Sequence, residues 1–178
     1  MKHKVWDPAV RVFHWSLVSA FAANALFVAT DSNLHLVLGY AIVVLVLLRI
    51  LWGFAGRGYA RFSTFPPDLR AATLQAAEMA TGRRTVHLGH TPLGALMIYN
   101  ILAALAVIAA SGYAMTTSAY FGVRWVKTLH ELSVTWAEIS VVIHVAAVIW
   151  ESRRTRVNLP LAMVTGYKDV PKESKLHE

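Results

Sequence analysis

The residues of this sequence best suited to chemistry are histidines inside long apolar runs. Four of the eight histidines lie there, namely His14, His35, His130 and His144. An ionisable side chain within a membrane is costly and usually functional, so four of them require a common explanation. His130 and His144 are 14 residues apart, which on a helix is about 21 Å of rise and an angular offset of about 40°. The spacing therefore predicts two ligand side chains on one face of one helix, near its opposite ends.

Four apolar segments must position these histidines, and each has the roughly 20 residues that a membrane-spanning helix needs. The predicted spans are residues 12–30, 35–54, 92–115 and 129–150. Hydrophobic residues make up 56% of the 178 residues and charged residues only 15%, whereas a soluble domain has about 25% charged residues. The predicted fold class is all-α, a transmembrane four-helix bundle that forms one domain over residues 1–178.

The distribution of lysine and arginine orients these spans. All cations except Arg124 and Lys127 fall in the N-terminus, near the inner end of the second span, in the 55–91 connection, or in the 151–178 tail. The positive-inside rule then places both termini, the loop and the tail in the cytoplasm of a multi-pass membrane protein. In a protein of the lipid bilayer, the net charge of +7 marks this side of the membrane rather than a nucleic-acid partner.

With this topology, the four histidines sort by depth into an inner pair, His14 with His144, and an outer pair, His35 with His130. Two imidazoles from facing helices can hold one haem iron axially, and the apolar faces of a porphyrin suit the core of a helix bundle. Depth and spacing favour two bis-histidine haems. One haem plus a proton relay stays open, as does a zinc or copper site, although a catalytic zinc ion needs three converging ligands.

The cysteine count narrows the redox chemistry. The chain contains no cysteine, which excludes disulfides, zinc–thiolate sites, iron–sulfur clusters and a covalently attached c-type haem. The haems expected here are therefore non-covalent haem b.

Three further residues are candidates for contact with the cofactors. Haem propionates are anions that need cations or backbone donors, and Arg11 and Arg49 lie at the depth of the inner pair. The alternative is that both are positive-inside residues whose charged ends reach water. His90, at the inner end of the third span, is a candidate propionate partner, substitute ligand or quinone contact; the alternative is an interfacial capping residue.

Three sequence motifs resemble those of the prokaryotic cytochrome b561 family, which is related to the b-type cytochrome subunit of nickel–iron hydrogenases. The segment 5–15, Val-Trp-Asp-Pro-Ala-Val-Arg-Val-Phe-His-Trp, is similar to the family's opening motif. The segment 89–95, Gly-His-Thr-Pro-Leu-Gly-Ala, resembles its Gly-His-Asn-Pro-Leu-Gly motif, with Thr91 in place of Asn. The segment 163–168 resembles the motif after the last span. The resemblance covers most of the chain.

The resemblance implies a four-helix membrane bundle with two haems b, whose ligands on the first, second and fourth spans map onto His14, His35, His130 and His144. It also implies electron transfer between the quinone pool, with ubiquinone or another quinone as substrate, and a periplasmic redox partner such as a cytochrome c or superoxide. The alternative is a membrane-anchor subunit of a hydrogenase or another oxidoreductase. Whether quinone oxidoreductase activity accompanies electron transfer, and whether two chains form a homodimer, stays open.

Two short helices are predicted on the cytoplasmic side. Pro66-Pro67-Asp68 is a helix start that predicts a helix to residue 81, with an apolar face made by Leu69, Ala72, Ala76 and Met79 that suits the inner leaflet. Asn158-Leu159-Pro160 begins a second helix that ends near Gly166. Three glycines, at positions 39, 94 and 112, favour close packing of the spans.

Overall fold

The computed structural model describes residues 1–82, 85–171 and 175–177, the last three as backbone alone. The chain is mainly helical, as predicted. Its helices are α1 (Pro8–Leu26), α2 (Asn33–Ala55), α3 (Leu69–Ala80), α4 (Pro92–Met115), α5 (Arg124–Thr155) and α6 (Leu159–Thr165), with two 3-10 turns at Gly58–Ala60 and Phe62–Thr64. Helix α4 has the predicted bounds, whereas α5 extends past the predicted span at both ends. Three of the cations counted above, Arg83, Arg84 and Lys172, lie outside the described residues.

Three helices are long and apolar enough to cross a membrane: α2, α4 and α5. Helix α1 is not among them, and it ends at Leu26 rather than at residue 30. Its apolar run includes Arg11, His14 and Asn24, which lower its mean hydropathy relative to the other three. Large apolar side chains on the outer faces of the spans are exposed, including Leu47, Leu48 and Leu51 of α2, as expected for surfaces that meet lipid.

Short strands, which were not predicted, join distant parts of the chain. Strand β1 (Lys2–Lys4) pairs antiparallel with β3 (Tyr167–Asp169), so that His3 faces Lys168 in the register. Strand β2 (Thr85–His87) pairs in parallel with β4 (Lys175–His177). The expectation of an all-α chain is corrected to this extent, because three-residue strands whose partners are far away in sequence leave no local periodicity.

The chain divides into two compact units. The first comprises Met1–Arg11, Leu51–Tyr99 and Val142–Glu178, and the second comprises Val12–Ile50 and Asn100–Val141. The core of the second unit is formed by Ile42, Val46 and Leu105, against which Leu17 and Phe21 of α1 pack. Segments of α1, α2 and α4 therefore share one apolar core.

A polar network joins α4 to α5 inside the second unit. Asn100 Nδ2 donates to Ser140 Oγ at 2.8 Å, and Trp136 Nε1 donates to Asn100 Oδ1 at 2.9 Å. Both ends of the Asn100 amide are therefore hydrogen-bonded to α5. Such bonds between spans fix the rotation of one helix relative to the other.

The three motif segments meet within the first unit. The backbone N–H groups of Val5 and Trp6 donate to Gly166 O at 2.9 and 3.1 Å. Gly166 has φ +88°, and a Cβ there would lie 2.9 Å from Trp6 O, so only glycine suits this turn. Lys168 Nζ donates to His87 O and Gly89 O, both at 3.0 Å.

Local capping explains where several helices begin. Asp7 accepts from Val10 N at 2.8 Å, and Asp68 accepts from Ala71 N at 2.9 Å, so these carboxylates cap α1 and α3. At the start of α4, Thr91 Oγ1 accepts from Gly94 N at 3.0 Å, which accounts for a threonine at the motif's asparagine position. Asn158 caps α6 in the same way.

Candidate functional site

His35, near the start of α2, and His130, in the outer part of α5, face each other within the second unit. Their ring centroids are 6.4 Å apart and their planes make an angle of 73°. Helix α2 begins at Asn33 because the 31–32 turn reverses the chain, and His35 N donates to Ser32 Oγ at 3.2 Å. The structure therefore brings together the outer pair that depth alone predicted.

The spacing of this pair fits a metal held between two imidazoles. A metal–imidazole bond is about 2 Å, and a ring centroid lies about 1 Å beyond its nitrogen, so axial ligands of one iron have centroids about 6 Å apart. The observed 6.4 Å is close to that value, and it exceeds what a direct hydrogen bond between the rings would require. The separation of the two rings therefore matches that of two imidazoles bound to one iron.

The contacts of His130 define which ring nitrogen is available to a ligand. His130 Nδ1 lies 3.1 Å from Ile108 O, and a carbonyl can only accept, so Nδ1 carries the proton. Nε2 is then the lone-pair atom of the neutral ring, which is the form that binds a metal. Metal-ligating histidines commonly donate their other N–H to a carbonyl in this way.

Ser111 adds a second partner for the same nitrogen. Its Oγ lies 3.1 Å from His130 Nδ1 and donates its own proton to Val107 O at 2.6 Å, so it presents a lone pair to the imidazole N–H. Ser111 is buried, with 4% of its surface exposed. Two acceptors, the Ile108 carbonyl and the Ser111 hydroxyl, therefore hold the ring in one orientation.

Gly112 forms the surface on which the His130 ring rests. A Cβ at this position would lie 3.1 Å from His130 Cε1 and 3.5 Å from Nδ1. Gly39, in contrast, has nothing within 4 Å of an added Cβ. Close packing was expected at both glycines, but only Gly112 provides it, and its neighbour there is an imidazole rather than another helix backbone.

His35 is anchored through its backbone. Asn24 Nδ2 of α1 donates to His35 O at 3.3 Å, which links α1 to the first turn of α2. Among residues 1–82 and 85–171, His35 Nδ1 and Asn24 Oδ1 are buried with no hydrogen-bond partner. A buried unpartnered nitrogen costs about 1–3 kcal/mol, which favours a site whose ligand supplies the missing interaction.

The inner-pair residues lie in different units. His14 is on the part of α1 that belongs to the second unit, with its ring edge-on to Trp15 at 5.2 Å. His144 is on the part of α5 that belongs to the first unit. Since α5 is one continuous helix, His144 keeps the predicted relation to His130 on that helix, and the pairing of His14 with His144 stays a prediction.

The predicted accessory residues have distinct surroundings. Arg11 donates from Nη2 to Val164 O in the first unit. Part of its guanidinium is therefore bound to the motif segment 163–168. Arg49 is buried, with 5% exposed, which contradicts the alternative that its charged end reaches water. His90 lies against Phe65 and Trp6, with ring centroids 4.1 and 4.6 Å away, in an aromatic cluster rather than at a free interface.

Two residues of this site, Ser111 and Gly112, carried little signal in the sequence, since small residues in an apolar helix usually serve packing alone. Within the described ranges there is no group of three or more His, Asp or Glu side chains that could hold a metal ion. The outer pair supplies two imidazoles, which is the number that a bis-histidine haem takes from a protein.

The fold is that of a helical protein with membrane-spanning helices, and the outer pair brings two imidazoles together within it. Residues 5–166 match the family model of prokaryotic cytochrome b561, so the chain belongs to that family. Neither the curated proteins nor the solved structures contain a match to it. Membership confirms the resemblance carried by the three motifs and supports b-type haem binding and electron transfer in a membrane.

Proposed function

We propose that this chain is a dihaem b-type cytochrome that transfers electrons across the bacterial inner membrane between the quinone pool and a periplasmic redox partner. The observation that carries the proposal is the 6.4 Å spacing of the His35 and His130 rings, together with the single tautomer imposed on His130. The outer haem would be held by these two imidazoles. When bound, each haem supplies a one-electron ferric/ferrous couple.

The inner haem would be held by His14 and His144, near the cytoplasmic side. Arg49 is the proposed propionate partner there, because it is a buried cation near the C-terminal end of α2 and a guanidinium can donate two parallel hydrogen bonds to one carboxylate. Arg11 shares this role only in part, since one of its nitrogens already donates to Val164 O. His90 is proposed to support the inner site by packing against Trp6 and Phe65 rather than as an axial ligand.

The protein's contribution is to hold the helices that carry the proposed haem ligands in fixed positions relative to their neighbours. Hydrogen bonds among Asn100, Trp136 and Ser140 join α4 to α5. Ser111 on α4 also lies within hydrogen-bond distance of His130 on α5. These hydrogen bonds would keep the imidazole of His130 in one orientation when a haem is bound. Hydrogen bonding to the ligand and burial of the site are the levers by which a protein sets the haem potential.

The proposal is tested by redox titration of the purified protein combined with haem quantification. We expect close to two non-covalent haems b per chain and two one-electron midpoints, both within the range of quinones and c-type cytochromes. A folded chain without pigment, or with one haem, would contradict the dihaem assignment. Midpoints outside that range would instead favour a membrane anchor whose haems only brace the bundle.

Transmembrane transfer requires a second measurement. Vesicles that contain the protein and enclose ferricyanide are treated with a quinol from outside, and ferricyanide reduction is followed by its absorbance. We expect reduction with the wild-type chain and none with His130→Ala, which breaks the outer pair. Equal reduction in both would show that electrons bypass the proposed site.

A further inference from the structure

The C-terminal end of α5 carries an arginine in a backbone conformation that normally belongs to glycine. Arg156 directly follows α5 and has φ 59°. Within the described residues it is the one non-glycine residue with positive φ. The left-handed position after a helix is usually glycine, because a side chain there is strained. An arginine at such a position costs backbone strain that glycine would not, so the surroundings of its side chain are of interest.

Arg156 lies at an open depression of about 370 Å³ between the end of α5 and the start of α6, entirely within the first unit. Its lining consists of Ile149, Ser152, Arg153, Arg156, Asn158 and Pro160. The depression thus combines two guanidinium groups, an amide and a hydroxyl with the apolar surface of Ile149 and Pro160.

The two arginines of the depression have no acidic partner among the described residues. The neighbouring Arg154 differs, since it forms a bidentate ion pair with Glu151 at 2.7 and 2.8 Å. Glu151 is therefore already neutralised, and Arg153 and Arg156 present two positive charges to whatever occupies the depression. Their chemistry suits an anion with several oxygens, such as a phosphate ester.

An apolar stripe on α5 leads into the depression. Val142, Val145 and Ile149 are exposed by 69%, 50% and 42%, and their spacing continues to Arg153 on one face of α5 about 80° wide. Arg156 follows directly after the end of this helix. A ligand that follows this face has a hydrocarbon part along the stripe and an anionic part between the arginines. A free anion or an acidic protein would use the charges but not the stripe.

We propose that this depression is a binding site for an anionic phospholipid, with its phosphate between Arg153 and Arg156 and one acyl chain along the α5 stripe. Basic pockets beside the cytoplasmic ends of membrane helices bind anionic headgroups in this way. The site is separate from the histidines and does not depend on bound haem. Its occupant would stabilise the α5–α6 turn, in which Val157 packs with Val86 and Val170.

The test is native mass spectrometry of the detergent-solubilised full chain, given equal amounts of phosphatidylglycerol and phosphatidylcholine with the same acyl chains. We expect the wild type to retain phosphatidylglycerol preferentially. Arg156→Gly and Arg153→Gln should each lower that preference about fivefold, the contribution of one cation near a membrane surface. Arg156→Gly also relieves the strained φ, so it should fold at least as well as the wild type, and Arg153→Gln provides a second variant without any backbone change.

The matched control is Arg57→Gln, which removes the same charge from an exposed position of the first unit outside the depression. It should leave the lipid preference at the wild-type value. The proposal is overturned if Arg156→Gly retains the full preference, in which case the arginines serve only the helix terminus, or if Arg57→Gln lowers it equally, in which case surface charge alone attracts lipid. Displacement of the lipid by millimolar inorganic phosphate would assign the site to a free anion.

Discussion

Replacing Gly112 by alanine is the sharpest perturbation of the outer pair. The added Cβ would lie 3.1 Å from His130 Cε1, whereas relaxed carbon–carbon contacts are about 3.5–4.0 Å. The ring must therefore move away from α4 by a few tenths of an ångström. That motion lengthens the 3.1 Å contact between His130 Nδ1 and Ile108 O toward the limit at which a hydrogen bond is lost.

The net cost follows from three terms. Alanine is favoured over glycine within a helix by about 1 kcal/mol. Overpacking opposes it by about 1–3 kcal/mol, and loss of the His130 hydrogen bond adds about 0.5–1.5 kcal/mol. The unfavourable terms are larger, so Gly112→Ala is expected to destabilise the protein by about 1–2 kcal/mol and to displace one proposed axial ligand.

The matched control is Gly39→Ala on α2, where an added Cβ meets nothing within 4 Å. It gains the helix propensity without the clash, so its stability should equal or exceed that of the wild type. Thermal denaturation followed by the haem absorbance band, together with haem content per chain, separates the two variants. We expect loss of one haem's signal, or a shifted spectrum for that haem, in Gly112→Ala only. Indistinguishable melting curves and spectra for the two variants would refute the proposed contact between Gly112 and a haem ligand.

Three further results are expected. Ser111→Ala removes one acceptor from His130 Nδ1 while Ile108 O remains, so both haems should be retained and the outer midpoint should rise by an amount on the order of tens of millivolts; an unchanged redox titration would contradict this. Burial lowers the pKa of Lys168 to about 8, below the unfolded value of about 10.4. The unfolded chain then binds more protons than the folded chain between these pH values, so the free energy of unfolding should rise with pH from about 8 to about 10.4. Melting temperatures at pH 8 and pH 10 should show this rise in the wild type and not in Lys168→Met. Asp68→Ala removes the α3 cap at the cost of about 1 kcal/mol, and hydrogen exchange should accelerate in α3 while α6, capped by Asn158, is unaffected.

Elements with strong local signals were predictable from the sequence. The start of α3 follows Pro66-Pro67-Asp68, and α6 begins after Asn158 and ends at Gly166, because capping depends on neighbours in sequence. The bounds of α2 and α4 follow from apolar runs that a bilayer requires. The proximity of His35 to His130 was predictable, because the depth of a residue in a membrane is set by its position along its span.

Features that depend on tertiary contacts were not predictable. The burial of Gln75 in α3 is one example, because a polar residue in a short amphipathic helix carries no local signal that another helix covers it. Gln75 Oε1 accepts from Leu93 N at 2.9 Å, at the start of another helix. The choice of Ile108 O and Ser111 as partners of His130 similarly depends on the rotation of α4 relative to α5, which no single segment encodes.

The central claim is that His35 and His130 hold one haem between them, and haem quantification in single variants tests it most directly. His35→Ala and His130→Ala should each reduce the content from two haems to one and remove the same spectral component, while the component assigned to His14 and His144 remains. A chain that keeps both haems when either residue is replaced, or that loses different components in the two variants, would contradict the claim.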